Sequence, residues 1–145
     1  MTLETAEKEL NEQIKGMGFK SIIIHQKFDK EPAPIRPGVF IRARTIVMLI
    51  DQDLWKNTNP KERKSLIPLC AGIAHCSVKD QFNRKKGRVT ALGRAIRAIK
   101  YSPILKNYPL SKGQFVSFDG SGPSVYSHNV DGPPEFEYQL EDLKK

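Results

Sequence analysis

The chain has 145 residues, 39% of them hydrophobic and 28% charged, which suits one soluble domain with a modest core. With 24 Lys and Arg against 16 Asp and Glu, the net charge of +8 favours anionic partners: nucleic acid, nucleotides or acidic proteins. No apolar run approaches the ~20 residues of a membrane span. The opening MTLETAEKEL is polar and acidic rather than leader-like, so the chain is expected to stay in the cytoplasm where it is made.

Residues 3–16 place Leu3, Ala6, Leu10 and Ile14 at helical spacing behind Thr2, a candidate N-cap. Gly16 and Gly18 then supply stop signals for an N-terminal amphipathic helix within 2–17. That helix is expected to pack on the domain or to help oligomerisation. The β-branched run 19–28 reads as a strand, and 29–37, with three prolines, as an extended loop. A second strand over 38–50 alternates at first, with Arg42 and Arg44 on one face and Ile41, Ala43 and Thr45 on the other. Its second half is continuously apolar, as in a strand covered on both faces. Residues 51–65 form a polar excursion, and Thr58 and Asn59 ahead of Pro60 predict one or two helical turns. A third strand covers 66–77, where Gly72 marks a bulge or a close approach. A long helix is predicted from Val78 to Lys100. Beyond it, 102–145 is read as an irregular C-terminal segment with one short strand at 113–118. No internal repeat is visible, and 1–145 reads as a single ligand-binding domain. The expected class is α+β: a small antiparallel sheet against one long basic helix, with the N-terminal helix beside it.

Cys70 and Cys76 fall on one face of the third strand, where they cannot bridge, and a reducing compartment keeps them as thiols. His25, His75 and His128 are too scattered for zinc-ligand spacing, so neither a metal nor a cofactor is expected.

Chemistry concentrates in CSVKDQFNRKKGRVTALGRAIRAIKY, residues 76–101. Ser77 followed by Asp80 has the form of a capping box, which predicts a helix start whose free N–H groups can receive an anion. Val78, Phe82, Val89, Leu92, Ile96 and Ile99 make an apolar stripe, and Gly87, Ala91 and Ala95 a second stripe of small residues. Two glycines inside a helix each cost about 1 kcal/mol relative to alanine, so the small stripe signals either a packing seam or a ligand cleft. Arg84 and Arg88 stand one turn apart and can converge on one phosphate through their planar forks. Phe82 is either a base platform or a core residue; Asn83 beside it can read a base edge. Lys86, Arg97 and Lys100 read as a solvated face. Arg42 and Arg44 either line a pocket between sheet and helix or protect an edge strand.

The run KDQFNRKKGRVTALGRAIRAI, preceded by AGIAHCS and supported by RARTIVMLI, resembles the phage anti-Thoeris sponge family of the first described, oligomeric type. The resemblance centres on residues 66–100 and leaves 51–65 and the tail unmatched. It implies a non-enzymatic phage protein that sequesters a cyclic nucleotide immune signal, a cyclic ADP-ribose isomer or a cyclic oligonucleotide, in pockets between subunits. On that resemblance Phe82 stacks on a base, Arg84, Arg88 and Arg94 neutralise phosphates, and Arg44 is the strand-borne contact; Asn83 is added as a ligand contact from its place beside Phe82. The alternative is a basic nucleic-acid-binding accessory protein, with Phe82 or Trp55 stacking on bases. A phosphodiesterase using His75 and Asp80 as acid and base is the third reading.

Overall fold

Helix α1 spans Leu3–Gly16, and Thr2 closes its first turn by accepting the Thr5 N–H at 3.1 Å. It belongs to a computed structural model that describes residues 2–32, 40–77, 83–105, 114–120 and 123–127. Gly18 adopts φ +86°, a left-handed conformation that lets the chain leave α1 and enter β1 (Phe19–Pro32). β1 extends past residue 28 with a register irregularity between Lys27 and Glu31, so part of the proline-rich stretch read as loop is strand. The rest of that stretch, 33–39, lies outside the described residues.

β2 (Phe40–Asp51) runs antiparallel to β1. In the excursion that follows, the helical turn expected behind Asn59 and Pro60 forms, and a further helix precedes it that Thr58, Asn59 and Pro60 did not indicate. Asp51 accepts the Leu54 N–H at the start of α2 (Gln52–Asn57), and Asn59 accepts the Lys61 N–H at the start of a 3-10 helix, Pro60–Ser65. Arg63 anchors this excursion: its guanidinium lies 4.4 Å from the centre of the buried Trp55 ring, and its Nε donates to the Trp55 carbonyl.

β3 (Cys70–Ser77) pairs antiparallel with β2, and helix α3 (Arg84–Leu105) then leads to β4 (Gln114–Phe118) and β5 (Pro123–Ser127). The five strands lie in the order β1-β2-β3-β4-β5. The α+β arrangement of sheet, long helix and N-terminal helix is therefore present. Within the sheet one pairing, β3 with β4, is parallel, because α3 carries the chain back along the sheet before β4 begins. β5 was not legible in the turn-rich DGSGPSVYS; pairing with β4 makes it, and a proline at its first residue is tolerated at a sheet edge. The segment read as irregular thus holds the end of α3 and two strands.

Strand alternation divides the core between the two sheet faces. Val47, Leu49, Cys70, Ala74, Val116 and Phe118 face α1 and α3 and pack with Ile14, Ala91, Leu92, Ala95 and Ala98. Ile22, Ile24, Ile46, Met48, Ile50, Ala71, Ile73 and Phe115 form the opposite face, with Trp55, Leu66 and Ile67 against it. The continuously apolar half of β2 is accordingly buried on both sides.

The small-residue stripe of α3 is the packing seam. A Cβ built on Gly72 would stand 2.1 Å from the Ala91 carbonyl oxygen and 2.2 Å from the Ala95 nitrogen, so helix backbone rests on strand backbone. Gly87 of α3 instead meets a side chain of β2: a Cβ there would stand 2.5 Å from Thr45 Oγ1. Ala91 and Ala95 are fully buried, while Ile96 and Ile99 of the larger stripe pack at the border of the core. The helix turns its smallest side chains inward because only these allow such an approach.

Candidate anion-binding site

The positive end of α3 begins at Arg84 rather than at Val78. Ser77 is the last residue of β3, paired with Ile41, and its strand ladder takes precedence over the capping box. The cap is Asn83: its Oδ1 accepts the Lys86 N–H at 3.1 Å, and its carbonyl accepts the Gly87 N–H at 2.9 Å. Residues 78–82, including Phe82 and Asp80, lie outside the described residues.

Four cations, Arg84, Lys85, Lys86 and Arg88, follow within the first five residues of α3, and its first turn carries no acidic residue. This opposes the usual preference, since a helix N-terminus bears roughly half a positive charge and favours carboxylates by about 0.3–1 kcal/mol each. Helix α1 offsets two of the four. Glu7 receives Arg88 through two prongs, Nε to Oε1 at 2.6 Å and Nη2 to Oε2 at 3.4 Å, in a half-buried pair. Glu4 receives Lys85 at 2.7 Å on the exposed surface, and that hydrogen bond, with the lysine charge, holds the Glu4 carboxyl below its ordinary range. Arg84 and Lys86 are exposed and make no ion pair among the described residues.

His25 of β1 completes this side of the molecule. Its Nδ1 is hydrogen-bonded to Thr45 Oγ1 at 2.9 Å, and Thr45 is buried beneath Gly87. Burial first, then the charges of Arg84 and Arg88, push the imidazole below its ordinary pKa. His25 was missed in the sequence because nothing local connects it to a helix some 60 residues later; the β1–β2 register and the Gly87 seam bring them together.

The other two predicted contacts lie elsewhere. Arg44 shares the face of Ile46 and Met48, opposite α3, so it does not line a pocket between sheet and helix. Nor is β2 an edge strand, since it lies between β1 and β3. Arg44 donates from Nε to Gln26 and stands in register with His75. Arg94 reaches the margin of the sheet, where Nη1 donates to the Ile73 carbonyl at 2.7 Å and the guanidinium packs on Gly120. Both act on His75, whose two ring nitrogens are buried without a hydrogen-bond partner among the described residues. Burial lowers the His75 pKa, Asp119 partly opposes this, and Arg44 and Arg94 add to it. Among the described residues, the carboxylate acting on His75 is Asp119. Of the six predicted site residues, the structure groups Asn83, Arg84 and Arg88, sets Arg44 and Arg94 beside His75, and leaves Phe82 undescribed.

Cys70 and Cys76 are free thiols on the helix-facing side of β3. Burial pushes the Cys70 thiol up to about 12. Among the described residues no helix is long and apolar enough to cross a membrane. No family model, no curated protein and no solved structure matches the chain.

Proposed function

We propose that this protein is a sponge that binds a cyclic nucleotide signal through its phosphates, a cyclic ADP-ribose isomer in the first instance, and holds it without cleavage. The observation that carries this reading is the cationic opening of α3, where Arg84 and Lys86 make no ion pair among the described residues, at a helix end that already repels positive charge. An oxyanion placed there relieves the repulsion and meets planar guanidinium donors. Glu7 holds Arg88 in one orientation, which lowers the entropy lost when a ligand docks. The resemblance of residues 66–100 to the anti-Thoeris sponges supplies the ligand class, a phage setting in the host cytoplasm and a homo-oligomer as the working unit.

The test is isothermal titration with a cyclic ADP-ribose isomer, followed by heating the complex and assaying the supernatant. Intact ligand released on denaturation supports sequestration, and altered ligand points to an enzyme. Arg84→Ala is expected to weaken binding at least tenfold with an unchanged unfolding temperature, because Arg84 is exposed. Arg88→Ala is a less clean variant, since it also strands the half-buried Glu7. Unchanged affinity in Arg84→Ala removes this end of α3 from the site.

One observation favours nucleic acid as a second reading: Lys86, Arg97 and Lys100 are exposed along α3, a basic track longer than one phosphate needs. Binding of single strands that falls steeply with salt, and is not displaced by the cyclic nucleotide, favours it over the sponge.

A further inference from the structure

We infer that the outer face of α3 is a docking surface for duplex DNA, with Gly93 at the point of closest approach. This rests on the nucleic-acid reading above, and it uses the length of the helix rather than the Arg84 end that carries the sponge reading.

Helix α3 holds seven Lys and Arg and no acidic residue, and the fold sorts these cations. Lys85 and Arg88 are taken by Glu4 and Glu7 of α1, and Arg94 donates to the Ile73 carbonyl. Lys86, Arg97 and Lys100 are exposed, and none of the three makes an ion pair among the described residues. With Thr90 and Gly93 they follow one another at steps of four and three residues. That spacing keeps all five on one ridge, opposite the buried Ala91, Ala95 and Ala98. Arg97 is also steadied, because its guanidinium lies 5.8 Å from the centre of the Phe118 ring.

Gly93 interrupts this ridge. A Cβ on Gly72 or Gly87 would collide with its neighbours, but nothing lies within 4 Å of the same position on Gly93. The fold gains nothing from a glycine there, while the helix forgoes the higher propensity of alanine. A residue without a side chain, in the middle of an exposed basic ridge, suits a partner whose atoms come up against the helix backbone.

The chemistry of the ridge favours one partner. It carries no aromatic or aliphatic side chain, so a single strand finds no stacking platform and a protein finds no apolar anchor. What it offers is charge at both ends and a low centre. From Lys86 to Lys100 it runs about 21 Å at the helical rise, enough to reach the phosphates on both rims of a B-form major groove about 12 Å wide. The deep, narrow major groove of an RNA duplex does not admit side chains in this way.

Fluorescence anisotropy of a short labelled DNA duplex tests this, beside the same DNA as a single strand and an RNA duplex of that sequence, each across a range of salt. The DNA duplex is expected to bind at least tenfold more tightly than the other two. Arg97→Gln and Lys100→Gln should each lessen the slope of log affinity against log salt by about 0.9, the value for one phosphate. Gly93→Gln is expected to bind at least tenfold more weakly and to unfold no more easily than wild type, since its side chain enters open space. Affinity and salt slope unmoved by these three substitutions overturn the proposal. Single strands or duplex RNA bound as tightly as duplex DNA, and weakened by Arg84→Ala instead, overturn it while keeping nucleic acid as a ligand of the helix start. No binding of any of the three removes the nucleic-acid reading with it.

Discussion

Gly72→Ala is the most direct probe of how α3 sits on the sheet. The added methyl would lie 2.1 Å from the Ala91 oxygen, 2.2 Å from the Ala95 nitrogen and 2.8 Å from the Arg94 carbonyl carbon. All three obstacles are backbone, so no rotamer change relieves them. Ordinary contacts of this kind are about 3.5 Å, so α3 must retreat by roughly 1–1.5 Å. A gap of that size forfeits much of the dispersion energy along a seam lined by Ala91, Leu92, Ala95 and Ala98, all fully buried. The expected loss is about 3 kcal/mol, the upper part of the range for overpacking. That is a large share of the roughly 5–15 kcal/mol available to a domain, and corresponds to a fall in Tm of about 10 °C. Urea unfolding followed by circular dichroism measures it. Gly93→Ala is the internal control: nothing lies within 4 Å of its Cβ position, so helix propensity alone should stabilise the protein by about 1 kcal/mol. If Gly72→Ala proves as stable as wild type, the helix does not rest on β3 as described, and the assignment of the small-residue stripe to packing fails with it.

Two further outcomes follow from the buried titratable groups. His75 and His25 both have folded-state pKa values below ordinary, so as pH falls the unfolded chain takes up protons first. Stability is therefore full above about pH 6.5 and lost as pH falls through the two folded-state values, a trend read from urea midpoints between about pH 5 and 8. His75→Phe should flatten part of that slope, and an unchanged slope would show that His75 is not buried in neutral form. Cys70, buried with its thiol pushed up to about 12, should resist alkylation in the native protein and react once unfolded, with half-buried Cys76 modified first. Native labelling of Cys70 at the rate of Cys76, seen by peptide mass spectrometry, would contradict its position under α3.

What the sequence determined by itself rests on short-range physics. Thr2, Asp51 and Asn59 each satisfy free N–H groups two or three residues away, so the starts of α1, α2 and the 3-10 helix are written locally. The alternation of Arg42 and Arg44 against Ile41, Ala43 and Thr45 follows from the strand period, as does the doubly buried half of β2. Tertiary structure decided the rest. Ser77 and Asn83 both offer cap chemistry, and pairing of Ser77 with Ile41 settled which one begins α3. Periodicity placed Arg44 on a face, but only the docking of α3 on the other face separated it from Arg84 and Arg88. β5 exists through its pairing with β4, not through its own composition. The cationic end of α3 was visible as a run of charge. Its acidic partners Glu4 and Glu7, and the histidine beneath it, came from elements more than 55 residues away, because ion pairs and hydrogen bonds depend on distance in space and carry no period in sequence.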